Sequence, residues 1–271
     1  MASMGHQAKC RIGGTNMCFA SETLRKTQTH LERAGLRGTR SHDVDDVAAG
    51  PNTVVGSIVL EPTNAELTVL LPLIMGSGSA LAETVPLFNC VIDRDFQVFT
   101  YNNCKVDRAT LRGAQGGLLQ LTLDVAGRTS ANAAVTVAEP ATATPFAFSD
   151  ITLSIGGTAR QVMEFELVVD NAIDKGRFLN KRDLPELVET DRLVTLRTVH
   201  PFTSNLADAW DAAVSGYNAA LALSGAGTRT FTFTKLQAPA EQPSVPGRGE
   251  ITITKNWVAR KDGTTAEFTE A

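Results

Sequence analysis

The segment GGLLQLTLDVAGR, residues 116–128, sends Leu119, Leu121, Leu123 and Val125 to one side and Gln120, Thr122 and Asp124 to the other. Period two is the mark of a strand with one buried face. The same alternation recurs along the chain. Residues 149–157 set Ile151, Leu153 and Ile155 against Thr152 and Ser154, and residues 160–170 set Met163, Phe165, Leu167 and Val169 against Glu164, Glu166, Val168 and Asp170. Residues 228–235 alternate Phe231 and Phe233 with threonines, and residues 248–260 alternate Ile251 and Ile253 with Thr252 and Thr254. Such a chain reads as mainly β.

The pattern also occurs twice. TVVGSIVLEPTNAELTVLLPLIMGSG reads strand, proline turn, capped helix, glycine, and TDRLVTLRTVHPFTSNLADAWDAAVSG reads the same way. In the first copy Thr63 and Glu66 make a capping box. Leu67, Leu70, Leu71 and Ile74 keep helical spacing, Pro72 kinks or shortens the helix, and Gly76 stands where a helix end wants positive φ. In the second copy Pro201 answers Pro62, and Leu206, Trp210, Ala213, Val214 and Tyr217 keep helical spacing. Residues 116–128 answer 248–260. Gly156-Gly157 is a hairpin signal between residues 149–157 and 160–170, and Gly13-Gly14 is a weaker one. Each half therefore reads β-β-long loop-β-α-β-β. The Ala, Thr and Pro of residues 136–148 have linker character. The expected division is 1–145 and 146–271, an internal duplication.

Each half carries a loop of about twenty residues, longer than a compact domain usually holds without a use. In residues 32–52, Arg33, Arg37 and Arg40 precede Asp43, Asp45 and Asp46. In residues 171–191, Lys175, Arg177, Lys181 and Arg182 precede Asp183, Glu186, Glu189 and Asp191. Basic-then-acidic can pair with a copy of itself on a neighbouring chain. The plain alternative is two solvated loops.

Composition narrows the function. The chain of 271 residues is 43% hydrophobic and 20% charged, with a net charge of −4, which suits a folded protein and not a duplex-DNA reader with a basic face. Leu67–Met75 is too short for a spanning helix of roughly 20 residues, and MASMGHQAKCRIGG has no signal-type apolar core. No membrane insertion or secretion by that route is expected. Cys10, Cys18, Cys90 and Cys104 form no CxxC and are expected to be reduced and structural. There is no P-loop, no GxSxG and no HExxH. His42 with Asp43, Asp45 and Asp46 lacks EF-hand spacing. No catalytic residue, cofactor or metal is expected. His200, Trp210 and Trp257 read as structural.

Three segments carry a family resemblance: Gly35–Arg40 (GLRGTR), Val55–Glu61 (VGSIVLE) and Leu70–Gly76 (LLPLIMG). They resemble the GxRGTR, VxGSIxxE and LLPxxxG segments of the tail tube proteins of long-tailed bacteriophages. DRATLRGAQGGLLQLTLDVAGR resembles the hairpin that follows. The resemblance covers residues 30–128 well and reaches the second half through the repeat. It implies tandem β-sandwich or β-barrel domains, each with one flanking helix and a long loop. Copies of such domains form rings around a lumen, stacked through their loops into a tube that conducts DNA. Two domains per chain imply trimeric, pseudo-hexameric rings. The resemblance further implies a virion protein, made and assembled in the host cytoplasm. Its partners would be itself and the tail terminator, tape measure and distal tail proteins.

On that reading the polar strand faces line the lumen: Gln120, Thr122 and Asp124, then Glu164, Glu166 and Asp170, then Thr252 and Thr254. Their acids would repel phosphate, so that DNA passes without specific binding. The charged residues of the two loops would stack the rings. Two other classes stay open. One is a carbohydrate-binding β-sandwich or host-recognition module. The other is a polysaccharide-active enzyme using Asp93/Asp95 or Glu164/Glu166.

Overall fold

A computed structural model describes residues 4–35, 41, 43–132, 136–203, 216–239, 242–245 and 247–271. The first run of elements is β1 (Lys9–Ile12), β2 (Thr15–Met17), β3 (Phe19–Glu22), β4 (Arg25–Glu32), β5 (Val47–Leu60), α1 (Asn64–Met75), β6 (Phe88–Asp93), β7 (Val98–Ala114), β8 (Gln120–Gly127) and β9 (Thr129–Asn132). The second run is β10 (Ile151–Ile155), β11 (Thr158–Arg160), β12 (Glu164–Asp170), β13 (Ile173–Asp174), β14 (Val188–Glu189), β15 (Leu193–Pro201), β16 (Tyr217–Ser224), β17 (Thr228–Gln237), β18 (Thr252–Arg260) and β19 (Phe268–Glu270). The protein is mainly β, as its alternation predicts.

In the first run β1 pairs with β2 and β6, β6 with β7, β7 with β8 and β9, β8 with β5, and β5 with β3 and β4. In the second run β10 pairs with β11 and β16, β16 with β17, β17 with β18 and β19, β18 with β15, and β15 with β12. Both runs open on a tight hairpin. Gly13 and Gly14 have φ of 57° and 91°, and Gly156 and Gly157 have 59° and 76°. Two successive positive φ values suit a glycine pair and match the twist of the flanking strands. The second hairpin joins β10 to the short β11 rather than to β12, as its spacing had suggested. β12 departs to pair with β15 on one side and β7 on the other.

That β12–β7 pairing is the seam of the molecule. It joins the two runs into one row, β4–β5–β8–β7–β12–β15–β18. β7 belongs to two sheets. Its first half pairs with β6 and β9. Beyond a register shift between Val106 and Arg108 its second half pairs with β8 and β12. A bulge at Asp107 makes the bend.

α1 lies beneath the seam. Thr63 accepts the Glu66 N–H at 3.3 Å while Glu66 accepts the Thr63 N–H at 2.8 Å, the predicted capping box. Gly76 ends the helix at φ 88°, and Pro72 is accommodated inside it. Leu67, Leu70, Leu71 and Ile74 are all buried. Leu67, Leu71, Ile74 and Met75 face Ala109 and Leu111 of β7, Leu167 and Val169 of β12, and Phe231 and Phe268. One continuous core thus draws on both runs.

Several expectations shift. The helix expected over residues 206–217 falls mostly outside the described residues, with Leu206, Trp210, Ala213 and Val214. Tyr217 opens β16 instead, after Gly216 at φ 75°. Ala219, Leu221 and Leu223 are buried at period two, a strand signal in YNAALALS. Pro201 lies within β15, whereas Pro62 follows the end of β5. The expected linker ends tied down: Phe146 is buried, and Thr63 bridges to Pro145 and Leu118 to Ala147.

Candidate functional site

The eight residues expected on a common polar face come from β8, β12 and the start of β18. They lie on one face of the row of strands, opposite the core. In β8 Leu121, Leu123 and Val125 are buried while Gln120 is exposed and Thr122 and Asp124 are half-buried. In β12 Phe165, Leu167 and Val169 are buried while Glu164, Glu166 and Asp170 are half-buried. In β18 Ile253 is buried while Thr252 and Thr254 are half-buried. Residues directly opposite on antiparallel neighbours share a face, so the register lays out rows. One row runs Gln120, Arg112, Glu166, Arg197, Asn256. The next runs Thr122, Thr110, Val168, Thr195, Val258. A third runs Asp124, Arg108, Asp170, Leu193.

The face differs from the expected acidic one. Arg108, Arg112 and Arg197 stand among the acids. Glu164 binds Arg112 at 2.9 Å and Arg197 at 3.1 Å, and Asp170 lies 3.9 Å from Arg108. Burial pushes the Asp124 carboxyl above its ordinary range, with Asp107 and Asp170 adding to the shift and Arg108 and Lys175 opposing it. The expected face of Gln, Thr and acids did not include the arginines. Their signal was present: in DRATLRGA, Arg108 and Arg112 alternate with Ala109 and Leu111 at period two.

The loop of residues 171–191 also differs from expectation. It leaves β12 at the seam and folds over the first run of elements. Ile173, Leu184 and Leu187 are buried with Ala126, and Phe178 packs on them. Lys175 pairs with Asp107, and Arg177 with Glu186 at 3.0 Å within the loop. Asp183 accepts from Asn52 Nδ2 at 2.7 Å, and Lys26 lies 3.7 Å from it. Lys105 Nζ donates to Leu187 O at 3.0 Å and to Glu189 at 2.6 Å. Burial raises the Glu189 carboxyl, but the Lys105 ammonium and the Val85 N–H outweigh it and hold the group below its ordinary value. Lys175, Arg177, Asp183 and Glu186, expected to meet a neighbouring chain, are thus engaged inside their own. Lys181 and Arg182 remain exposed. The loop's aliphatic residues, which charge counting passed over, anchor it.

In the first loop Arg33, Asp43 and Asp45 are exposed and Asp46 is half-buried. Asp43 caps a short turn by accepting the Asp45 N–H at 3.2 Å. Arg37, Arg40 and His42 lie outside the described residues.

The carboxylate pairs weighed for hydrolysis have other work. Asp93 accepts the Asp95 N–H at 3.0 Å in a turn where Asp95 has φ 70°, and Glu164 is held by two arginines. Among the described residues no group of His, Cys, Asp or Glu is arranged to hold a metal ion, and no helix is long and apolar enough to cross a membrane. The four cysteines are free thiols, three of them buried. The enclosed space under α1 is about 20 Å³, far below a ligand pocket.

The candidate site is an extended sheet face. No curated protein matches the chain. The profile of the family described as phage tail tube protein matches residues 5–267, nearly the whole length. The chain belongs to the phage tail tube protein family, and so is a structural component of a virion.

Proposed function

We propose that this chain forms trimeric rings with pseudo-sixfold symmetry, stacked into a tube whose lumen conducts DNA. Each chain would contribute two tail-tube-type domains, residues 1–145 and 146–271, arisen by duplication. The matching order of strand pairings in the two runs supports that division.

One observation carries the ring. Among the described residues the row of strands has an open border at each end. β4 pairs only with β5, and its residues are exposed throughout. β18 pairs with β15 along Thr252–Val258 and with β17 only at Val258–Arg260. Unpaired edges invite a partner strand. The β12–β7 seam is one such closure, made inside the chain. β4 occupies in the first run the place of β12 in the second, so laying β4 on the β17–β18 end of the next copy repeats the seam between chains. Three repeats close a barrel. The polar face of Gln120, Glu166 and Thr254 would then line it. Assembly in the host cytoplasm, with terminator, tape measure and distal tail proteins at the tube's ends and interior, completes the reading.

Negative-stain microscopy of the purified chain tests it. Three-fold rings or tubes are expected. Thr27→Pro and Gln28→Pro are tested separately, because successive N–H groups of a strand point to opposite sides. One of the two removes only an outward donor, and that variant should stay folded and fail to form rings. A wild-type chain that remains monomeric at high concentration refutes the proposal.

A further inference from the structure

Resting on the lumen reading, we infer that the middle of the sheet face is a charge clamp: its three arginines there, Arg108, Arg112 and Arg197, are each set against carboxylates that compete with a DNA phosphate for them. A purely repulsive face would need no arginines. Here Arg112 and Arg197 flank Glu166 in register on either side, and both also reach Glu164, at 2.9 and 3.1 Å. Arg108 stands between Asp124 and Asp170 in the same manner. These are half-exposed groups on strands, able to meet a passing polyanion. Arginine is the residue best shaped for a phosphate, through its forked donors. A phosphate approaching Arg112 must displace a carboxylate already in place and come close to a second one. The clamp therefore acts at contact range, where salt screening is weakest. It needs little net charge: four acids, Asp124, Glu164, Glu166 and Asp170, face three arginines. The result is a surface that neither grips duplex DNA nor expels it.

Removing the acids should turn the face into a DNA-binding one. Fluorescence anisotropy with a labelled 20-base-pair duplex at low salt compares wild type, Glu164→Gln, and Glu164→Gln with Glu166→Gln. The double variant is expected to bind about tenfold or more tightly than wild type, and its affinity to fall with salt more steeply by about one to two units of log slope, as for one or two new phosphate contacts. Adding Arg112→Gln and Arg197→Gln should abolish the gain. Asp45→Asn, which removes one charge as Glu164→Gln does but outside the rows of this face, should gain less than Glu164→Gln. Equal binding by wild type and the double variant, or an equal gain in Asp45→Asn, overturns the clamp. Micrographs of the same samples report on the tube separately. A chain without rings defeats the assembly reading, while the binding comparison still decides the clamp, because the face is open in the single chain.

Discussion

His200 shows how one buried side chain ties this fold to pH. It sits fully buried with Thr198 and Trp257. Nδ1 meets the Gln161 carbonyl at 2.7 Å and Nε2 meets Thr198 Oγ1 at 2.8 Å, while Trp257 Nε1 donates to the same hydroxyl at 3.1 Å. A neutral ring with its proton on Nδ1 satisfies this chain: indole to hydroxyl, hydroxyl to Nε2, Nδ1–H to carbonyl. A second proton, on Nε2, would break the hydroxyl-to-Nε2 bond and leave the Thr198 hydroxyl to accept from both Nε2–H and the indole. Burial depresses the His200 pKa, the Gln161 carbonyl partly opposes this, and Arg160 adds to it. The unfolded chain thus takes up a proton that the folded chain refuses. The native state keeps its full stability above the unfolded value of about 6.5 and loses it as pH falls toward the depressed folded value. One proton bounds the slope at about 1.4 kcal/mol per pH unit. Urea melts between pH 7 and 5 should show this loss in wild type and a flatter profile in His200→Gln. Parallel profiles would assign the acid sensitivity elsewhere.

At the scale of elements, the β3–β4 connection crosses closely over β5. Thr23 donates its N–H to Ser57 O at 2.8 Å, and Ser57 returns its N–H to Thr23 Oγ1 at 2.9 Å. A Cβ on Gly56 would lie 2.4 Å from Leu24 Cα and 2.6 Å from Thr23 C. Those are backbone atoms and cannot swing aside. Leu24 is itself fully buried. Gly56→Ala is expected to cost about 2–4 kcal/mol, read as a fall in the denaturation midpoint. Gly78→Ala, with nothing within 4 Å of its new Cβ, should change little. A Gly56→Ala chain as stable as wild type would mean that the crossing gives way easily. This glycine belongs to the VGSIVLE segment, and its presence there was legible while its reason was not. The same division holds elsewhere. α1 could be read because its signals are local: a capping box, a 3.6-residue period, a terminal glycine. β8, β12, β17 and β18 could be read because period two is local too. The bend of β7, the pairing of β12 with a strand more than fifty residues earlier, and the anchoring of residues 171–191 by Leu184 and Leu187 depend on distant partners. No window of sequence contains them. Tyr217 was misassigned for a different reason, because a helical spacing was followed past Gly216 into a strand.

For the whole molecule, the two runs of elements do not form two independent cores. α1 belongs to the first half, yet its Leu67, Leu71 and Met75 face Phe231 and Phe268 of the second, whose rings stack at 5.7 Å. Arg229 donates to Asn64 Oδ1 at the start of α1 at 2.7 Å and to the buried Glu270 at 2.8 Å. Asn171 Nδ2 donates to Ile74 O at 3.0 Å and to Val106 O at 3.1 Å, so the end of α1 hangs from the second half. Cutting at residue 145 would expose the apolar side of α1, the β7 edge along Arg108–Ala114 and the β12 edge opposite it. Each fragment would then carry an unpaired edge over an open core, the state most prone to aggregate. Residues 1–145 or 146–271 expressed alone should therefore show no cooperative thermal transition, and refolding them together should restore the circular dichroism and melt of the intact chain. If residues 1–145 alone melt cooperatively near the intact midpoint, the seam is an interface between finished domains. If they do not, the seam is part of the core. The chain would then be the smallest unit that folds, and the β4 and β18 borders the places left for another copy to join.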